Sequence, residues 1–198
     1  MERAIAGYHR DEAGDWVAEL ACGHHQHVRH RPPFQLRGWV LDADERAARL
    51  GTPLACSLCD RAELPEGLAW VRTTPIWDEE TMPGGLSRAH RVAAGTWGRI
   101  VVHHGRMRFT AATAPVIDVE LEVGSAQAIP PEIDHQLEPL GAVRFAIEFF
   151  AVGRRSEIGE PVGQGGDPAC WVGLACPDCG AMVEGGHHRP GCPAARTS

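Results

Sequence analysis

The chain has 198 residues, enough for one medium domain or for two or three small ones. Its 43% apolar and 23% charged residues are typical of a folded protein and exclude wholesale disorder or a collagen-like fibre. No apolar run approaches the roughly 18 to 20 residues of a membrane helix, and the first residues lack the pattern of a secretion signal. We therefore expect a cytoplasmic protein.

The charged residues and the cysteines narrow the expected function. Nineteen basic residues, all of them arginine, oppose 26 acidic ones and give a net charge of −7, so general nucleic-acid binding is not expected. Cysteines in a reducing cytosol seldom form disulfides, which makes the 7 cysteines candidates for metal ligation or redox chemistry. They form an early and a late group, with none from Arg61 to Ala169: Cys22, Cys56 and Cys59, and then Cys170, Cys176, Cys179 and Cys192.

The first segment has the pattern of a small α+β module. Arg3–Tyr8 and Asp15–Cys22 lie on either side of a turn signal, which predicts the two strands of a hairpin. Asp42 followed by Glu45 resembles a capping box and predicts a short helix from about Ala43 to Leu50. A segment of this size with few large apolar side chains needs a further staple to be stable by itself.

The early cysteines and one histidine have the spacing of a zinc site. Cys56 and Cys59 form a Cys-x-x-Cys turn, and Cys22 with His24 forms a remote Cys-x-His pair. Three thiolates and one imidazole supply the four corners of a tetrahedron, which zinc prefers, so we predict a structural zinc ion. The alternative is a set of reduced or redox-active cysteines without a metal. Two neighbouring histidines remain open as the fourth ligand: His25 and His27.

The stretch from Leu20 to Leu41 has no acidic residue, although the whole chain is acidic. Two interpretations of this positive stretch are open. Either its arginines contact a phosphate or an acidic partner, or they form a solvated strand that balances acidic residues elsewhere, and we favour the second. The side chains concerned are Arg29, Arg31 and Arg37, accompanied by Phe34 and Trp39.

The first segment also carries an ordered set of motifs. They are Cys22-Gly23-His24, Gln26-His27-Val28-Arg29-His30, Pro32-Pro33, Trp39-Val40, and the pair Cys56 and Cys59. With these motifs, the stretch from about Met1 to Asp60 resembles a small bacterial family of uncharacterised domains. The resemblance implies no function.

The segment from about residue 71 to residue 152 is strand-like throughout. In its last strand Val143, Phe145, Ile147 and Phe149 alternate with less apolar or smaller residues, as a strand with one buried face requires. Short strands separated by Gly and Pro turns are typical of a sandwich or barrel. The predicted strands are Trp97–Val102, Arg106–Phe109, Ile117–Val123, Ala126–Ile129, His135–Leu137 and Val143–Phe149.

This segment carries a second ordered series of motifs. The series runs through Pro83-Gly84-Gly85-Leu86-Ser87-Arg88-Ala89-His90, Gly95-Thr96-Trp97-Gly98-Arg99-Ile100-Val101-Val102, Ile129-Pro130-Pro131 and His135. From about Thr74 to Phe150 the chain therefore resembles the TehB/YeaR-like branch of the cupins, a family associated with tellurite resistance. The resemblance implies a small antiparallel β-barrel or jelly roll.

The resemblance also implies a metal site inside the barrel, because cupins hold a metal with histidines and a carboxylate. His90 and His135 correspond to two of the histidines, but Gly98 stands where the carboxylate is usual. Glu138 and Glu148 are the nearest replacements, although simple alternation from His135 places Glu138 on the opposite face. Two interpretations stay open. The histidines hold a third metal, or they are hydrogen-bonded in a pocket that holds an organic ligand or nothing.

Three further side chains near this site have predicted roles. Arg88 lies on the same face as His90 if that stretch is extended, and its guanidinium then binds an anion. His103 and His104 directly precede the hairpin glycine Gly105, and we interpret both as solvent-exposed turn residues.

The end of the chain carries a second zinc motif. Cys176, Cys179, His188 and Cys192 have the spacing C-x2-C-x8-H-x3-C, which closes a four-ligand site and predicts a second structural zinc ion. The alternative is a disordered tail whose cysteines are incidental. Two side chains remain open as replacements for His188: His187 and Cys170.

Together these patterns predict a mainly β protein, in which a cupin-type antiparallel β-barrel or jelly roll is flanked by two small zinc-binding modules. The protein is expected to be cytoplasmic. A homodimer is expected only by analogy with cupin barrels that form pairs. The expected segments are a zinc-binding module at 1–65, the barrel at 71–152, a linker at 153–169 and a zinc-knuckle-like tail at 170–198.

The expected function is that of a metal-binding cupin-type protein. It binds a small anion, a metal or a stress-related metabolite at Arg88, His90 and His135, in a tellurite, oxidative or nitrosative stress response. One alternative is a metal-dependent cupin oxidoreductase, although no Ser-His-Asp order, phosphate loop or zinc-protease motif indicates an enzyme. The other is an adaptor whose zinc modules bind nucleic acid or protein.

Overall fold

The computed structural model of the chain describes residues 1–153. The predicted C-terminal zinc motif, with Cys176, Cys179, His188 and Cys192, lies outside the described residues, as does the predicted linker apart from Gly153. In the part that is described, no helix is long and apolar enough to span a membrane.

A four-stranded antiparallel sheet forms the first layer of the molecule. Its strand order is β3-β2-β1-β4, so the predicted hairpin of β1 and β2 lies at the centre. Ile5 of β1 and Leu20 of β2 are paired and buried, whereas Val17 and Ala18 are both buried although they are adjacent in β2. The bounds are β1 Glu2–Arg10, β2 Trp16–Leu20, β3 His25–His27 and β4 Pro53–Ala55.

Two short α-helices and a 3-10 helix at Gly38–Val40 complete this module: α1 Ala43–Ala47 and α2 Ser57–Asp60. The predicted cap of α1 is present, because a carboxylate oxygen of Asp42 accepts a hydrogen bond from the Glu45 backbone N–H at 2.9 Å. The helix ends at Ala47, earlier than the predicted Leu50. Tight turns follow it to Gly51, which has a positive φ and whose N–H bonds to a carbonyl of β1.

Eight further strands build the barrel: β5 Ala69–Thr73, β6 Trp77–Asp78, β7 Thr96–His104, β8 Arg106–Ala111, β9 Ile117–Glu122, β10 Ala126–Ile129, β11 His135–Pro139 and β12 Arg144–Ala151. One sheet has the order β10-β7-β12-β5, with β6 also paired to β12, and the other has the order β11-β8-β9. Every pairing is antiparallel. The predicted mainly β fold with antiparallel strands is confirmed.

One apolar core lies between the two sheets of the barrel. It takes alternate residues from each strand, such as Ile100 from β7, Phe109 from β8, Leu137 from β11 and Phe145 from β12, all 1% exposed or less. The period-2 pattern of the sequence therefore identifies the inward face of the barrel strands correctly.

A second core joins the first sheet to the barrel. The side chain of Trp97, on the outer face of β7, is fully buried among module residues that include Leu20 and Cys59. Its indole N–H donates to the Cys22 carbonyl at 2.7 Å. Arg3 makes a second link, because its guanidinium donates to the Pro131 carbonyl at 2.8 Å. The module is thus packed on the barrel through shared apolar and polar contacts.

Candidate metal centre

Three cysteines and one histidine converge at the junction of the module and the barrel. Cys22 follows β2, His24 precedes β3, Cys56 caps α2 and Cys59 lies inside α2. The Nδ1 atom of His24 lies 3.5, 3.4 and 3.5 Å from the three sulfurs in that order, and the Cys22 and Cys56 sulfurs are 4.0 Å apart. We call these four residues the cysteine cluster.

These distances match a tetrahedral metal site. With metal–sulfur bonds of about 2.3 Å and a metal–nitrogen bond of about 2.0 Å, a tetrahedron separates sulfur from nitrogen by about 3.5 Å and two sulfurs by about 3.8 Å. All four ligand atoms of the cluster lie within 4.8 Å of one another. Within residues 1–153, this is the only group of three or more such side chains with that property.

Two local turns aim the ligands at one point. Gly23 has φ of 88°, which a glycine adopts without strain, and this turn brings Cys22 and His24 to the same side of the sheet. A Cβ at Gly23 would also lie only 3.2 Å from Leu68. On the other side, α2 begins at the Cys-x-x-Cys motif, so its first turn places Cys59 beside Cys56.

The cluster is buried, and its closely spaced side chains shift one another's pKa. Its four side chains are 5% exposed or less. Hydrogen bonds from Cys22 and Cys59 hold the pKa of Cys56 far below its ordinary value, whereas hydrogen bonds to Cys22 and Cys56 raise the pKa of Cys59. Burial by itself would lower the pKa of His24, but its bonds to the neighbouring sulfurs outweigh burial and raise it to about 9. The cluster thus shares protons among groups that a divalent cation would deprotonate.

The two alternative histidines lie elsewhere. The exposed ring of His25 contacts His9 at 5.1 Å between centroids. Nε2 of His27 lies 2.8 Å from an Asp11 carboxylate oxygen. Among the early histidines, the structure brings only His24 to the three sulfurs.

The barrel holds a second pair of buried imidazoles. His90 and His135 are each 2% exposed, and their ring centroids are 4.0 Å apart. Their backbones form an isolated antiparallel bridge, with N–H to carbonyl distances of 3.1 and 3.0 Å. We call these two residues the imidazole pair. The bridge explains why side chains 45 positions apart in sequence face each other.

Backbone carbonyls orient both rings of the imidazole pair. Nδ1 of His90 lies 2.9 Å from the Arg88 carbonyl, and Nδ1 of His135 lies 2.9 Å from the Ile133 carbonyl. Because a carbonyl only accepts, each Nδ1 carries a proton, and a ring of the pair that is neutral has its lone pair on Nε2. Burial, with the neighbouring His90, lowers the pKa of His135 to about 3, so this ring is neutral near pH 7.

The structure brings no third protein ligand to the imidazole pair within residues 1–153. At Gly98, where a cupin carboxylate was expected, an added Cβ would lie 3.0 Å from Ile129, so an apolar side chain fills that space. Glu138 is exposed on the outer face of β11, as alternation predicts. Glu148 instead pairs with Arg99 at 2.6 Å. Neither glutamate replaces the missing carboxylate.

The structure does not bring the guanidinium of Arg88 to the imidazole pair. The stretch before His90 is a turn rather than an extended strand. Arg88 is exposed there, and its Nε atom donates to the Gly84 carbonyl at 3.4 Å. Only its backbone carbonyl contacts the pair. His103 and His104 are exposed, as expected for residues next to a hairpin turn.

Two sequence families match this chain. Residues 6–63 match the family described as "Protein of unknown function (DUF3565)". Residues 72–147 match the family described as "TehB-like domain". The middle of the chain is thus similar to TehB-like domains. Both matches agree with the resemblances found in the sequence, and the first one assigns no function to the module that carries the cysteine cluster.

Several relatives are similar to the chain. "Uncharacterized protein YeaR" from Escherichia coli strain K12 is 27% identical over 97 residues, which cover 44% of this chain and 82% of the relative. A crystal structure of a protein from E. coli strain K12 has 26% identity and a TM-score of 0.43, covering 46% of this chain and 98% of that one. TehB from Haemophilus influenzae has 23% identity and a TM-score of 0.40, covering 43% and 32% respectively.

The sequence did not predict that Trp97 of the barrel contacts the cysteine cluster. The ring of Trp97 lies edge-on to His24 at 5.4 Å between centroids, in addition to its hydrogen bond to the Cys22 carbonyl. The strand pattern places Trp97 in β7 but does not show that the outer face of this strand is covered. The only hint in the sequence is that a large aromatic side chain lies on that outer face.

Proposed function

We propose that the chain is a zinc-stapled, cupin-type metal-binding protein. In this proposal the cysteine cluster holds a structural zinc ion, and the imidazole pair is the binding site of the barrel for a second metal ion. The observation that supports it best is the convergence of three buried sulfurs and one imidazole nitrogen at tetrahedral distances.

The ligand set favours zinc and a structural role. Thiolates are soft ligands that select zinc, copper(I) or iron–sulfur clusters, and a tetrahedral set of three sulfurs and one nitrogen is typical of zinc. Because the protein supplies four ligands, no coordination position is open for water or substrate. The metal therefore stabilises the fold rather than performing chemistry.

Zinc at this place would connect three parts of the chain. Its ligands come from the turn between β2 and β3 and from α2, and Trp97 of the barrel packs against one of them and bonds to another. The metal thus fixes the module against the outer face of β7. This accounts for a module that has few large apolar side chains of its own.

X-ray absorption at the zinc edge tests the structural site. The purified full chain should show sulfur at about 2.3 Å and nitrogen at about 2.0 Å from zinc. Because the predicted C-terminal motif has the same ligand types, the measurement is repeated on Cys176→Ser/Cys179→Ser, which should retain a sulfur-rich shell. A shell dominated by oxygen in that variant would contradict the proposal.

The protonation state of the imidazole pair decides what kind of ligand it takes. A neutral ring whose Nδ1–H is already donated to a carbonyl offers a lone pair at Nε2, and Nε2 of His135 is buried without a hydrogen-bond partner in residues 1–153. A lone pair binds a cation and repels an oxyanion. We therefore propose a transition-metal ion rather than a free anion as the direct ligand. Imidazole suits zinc, copper, iron and nickel.

A stress role is the finer part of the proposal. The TehB-like resemblance implies tellurite or oxidative and nitrosative stress, and an oxyanion could then contact the barrel only as a further ligand of a metal held by the pair. The probe is cobalt(II), titrated into the zinc-loaded full chain and followed by its visible absorption. Binding should disappear in His135→Ala and persist in the control His103→Ala. Equal binding by both variants would refute the barrel site.

The same titration is then repeated with tellurite. Tellurite should change the cobalt spectrum of the wild-type chain and should not bind the chain without cobalt. Binding of tellurite to the cobalt-free chain would contradict a metal-mediated contact and would favour the anion site expected from the sequence.

A further inference from the structure

We infer that the positive stretch after β3 forms a binding site for a small molecule that combines one planar ring with one carboxylate or phosphate group. A surface cavity of about 210 Å³ is lined by His27, Arg29, Phe34, Gln35 and Arg37. It lies on the module and is separate from both metal centres. The site is therefore independent of the proposed metal-binding function.

The loop that carries the ring of this site is fixed by backbone contacts. Arg31 and Gln35 exchange two backbone hydrogen bonds of 2.8 and 3.0 Å, which close the loop below Phe34. The backbone N–H of Arg37 donates to Nδ1 of His30 at 3.1 Å. The backbone that carries Phe34 and Arg37 is thus fixed before any ligand arrives, which reduces the entropy lost on binding.

The phenyl ring is unusually accessible. Phe34 is 93% exposed, the highest value among the large apolar side chains of residues 1–153. A single exposed apolar residue needs no explanation by itself. Here the ring lines a cavity together with guanidinium and amide groups, so a planar ligand can stack on it while its polar end reaches those groups.

The charges at this site favour an anion. Arg29 and Arg31 both donate to one oxygen of Asp15, at 2.6 and 2.7 Å, so two guanidinium groups of the stretch share one carboxylate. The Arg37 guanidinium has no hydrogen-bond or ion-pair partner in the described part of the chain. A carboxylate or phosphate would receive charge-assisted hydrogen bonds from Arg37 without displacing an existing pair.

Size and total charge restrict the ligand to a small molecule. The cavity is smaller than the about 300–1,000 Å³ of pockets for drug-sized ligands, which leaves room for one ring and one anionic group. Nucleic acid needs several phosphate contacts, whereas the site has one unpaired guanidinium in a chain of net charge −7. We therefore exclude a polyanion as the main ligand.

The test is a titration of the zinc-loaded full chain with phenyl phosphate, followed by calorimetry and by NMR. Phe34→Ala and Arg37→Gln should each weaken binding about tenfold or more, since stacking and charge-assisted bonds are each worth about 1–3 kcal/mol. The matched controls Trp70→Ala and Arg88→Gln change an exposed aromatic and an exposed arginine elsewhere and should leave binding unchanged. Thermal unfolding checks that all four variants fold.

Three comparisons of ligand complete the test. Inorganic phosphate and benzyl alcohol, which each lack one half of the ligand, should bind at least about tenfold more weakly than phenyl phosphate. A 5′-phosphorylated tetranucleotide should bind no more tightly than phenyl phosphate. The inference is overturned if phenyl phosphate does not saturate, if Phe34→Ala and Arg37→Gln bind like the wild type, or if the oligonucleotide binds more than about tenfold more tightly.

Discussion

The cysteine cluster and the imidazole pair are both buried, and both were identified from sequence as metal-binding candidates. They differ in what surrounds the candidate ligands. The cluster combines four ligand atoms within 4.8 Å and shares protons that a cation would replace. The pair combines two buried imidazole rings, each fixed by a backbone carbonyl, with an apolar side chain where a carboxylate would complete the site.

This difference separates a metal's structural role from a binding role. A closed set of four ligands gives a high affinity on which folding depends, whereas two imidazole ligands leave most coordination positions of a metal open to other ligands. Loss of ligands should therefore unfold the module in the first case and abolish binding without unfolding in the second.

The largest expected effect is that of His24→Ala. A structural zinc site contributes about 10–16 kcal/mol of binding free energy, so loss of one ligand should lower the free energy of unfolding by roughly 3 kcal/mol or more. The matched control is His25→Ala, one residue away and exposed, which should change it by less than about 0.5 kcal/mol. Denaturant titrations at a fixed zinc concentration measure the free energy of unfolding of both variants. Similar values for the two would contradict the role of His24 as a metal ligand.

The second effect is a pH dependence due to His135. Its pKa falls from 6.5 to about 3 on folding, so the unfolded chain binds one more proton than the folded chain between these values. Stability from this group is complete above pH 6.5 and is lost as the pH falls towards 3. The expected loss is about 1.4 kcal/mol at pH 5.5 and about 2.7 kcal/mol at pH 4.5.

The difference between the wild type and His135→Leu isolates this effect. Both chains keep the same cysteine cluster and are measured with their bound zinc but without excess metal, so changes at the cluster cancel and no added metal fills the imidazole pair. The free energy of unfolding of His135→Leu should depend less steeply on pH below 6.5. Parallel pH profiles would contradict a His135 pKa that folding lowers.

A smaller effect is expected for Trp97→Phe, which keeps an aromatic ring but removes the N–H. The carbonyl of Cys22 then loses a buried hydrogen bond, and this costs about 1–3 kcal/mol. Trp70→Phe is the control, since Trp70 is 62% exposed and its N–H bonds to an exposed threonine. Thermal unfolding measures the midpoint temperature of both variants. An equal shift of that midpoint for both would contradict a stabilising contact of Trp97 between the module and the barrel.

The smallest effects are expected at the two glutamates. Glu138→Gln changes an exposed side chain, and Glu148→Gln removes a partly exposed ion pair with Arg99. Each should change stability by less than about 1 kcal/mol and leave cobalt binding by the barrel unchanged. Loss of cobalt binding in either variant would identify that glutamate as a metal ligand. Such a result would support the alternative of a metal-dependent oxidoreductase.

The strands and the cysteine cluster were largely predictable because their signals are local. Alternation along β12, the cap at Asp42 and the Cys-x-x-Cys spacing each follow from a few neighbouring residues. The early hairpin and the six predicted barrel strands lie where the sequence predicts them, within a few residues at their ends, whereas β5 and β6 were not predicted.

The contacts that depend on docking were not predictable. Arg88 was placed beside His90 on the assumption of an extended chain, but a turn directs its side chain to Gly84. The burial of Trp97 depends on the module, which the strand pattern of the barrel does not contain. The space at Gly98 is filled by Ile129 from the neighbouring strand, and no local pattern reports such a contact.

The most direct test of the central claim is the number of zinc ions per chain in the wild type and in Cys56→Ser, measured by native mass spectrometry with elemental analysis. Ser57→Ala, an exposed position in the same Cys-x-x-Cys turn, serves as the matched control. The variant Cys56→Ser should contain one zinc ion fewer than the wild type, and Ser57→Ala should retain the full number. An unchanged zinc content in Cys56→Ser would contradict the claim that the cysteine cluster holds a structural zinc ion.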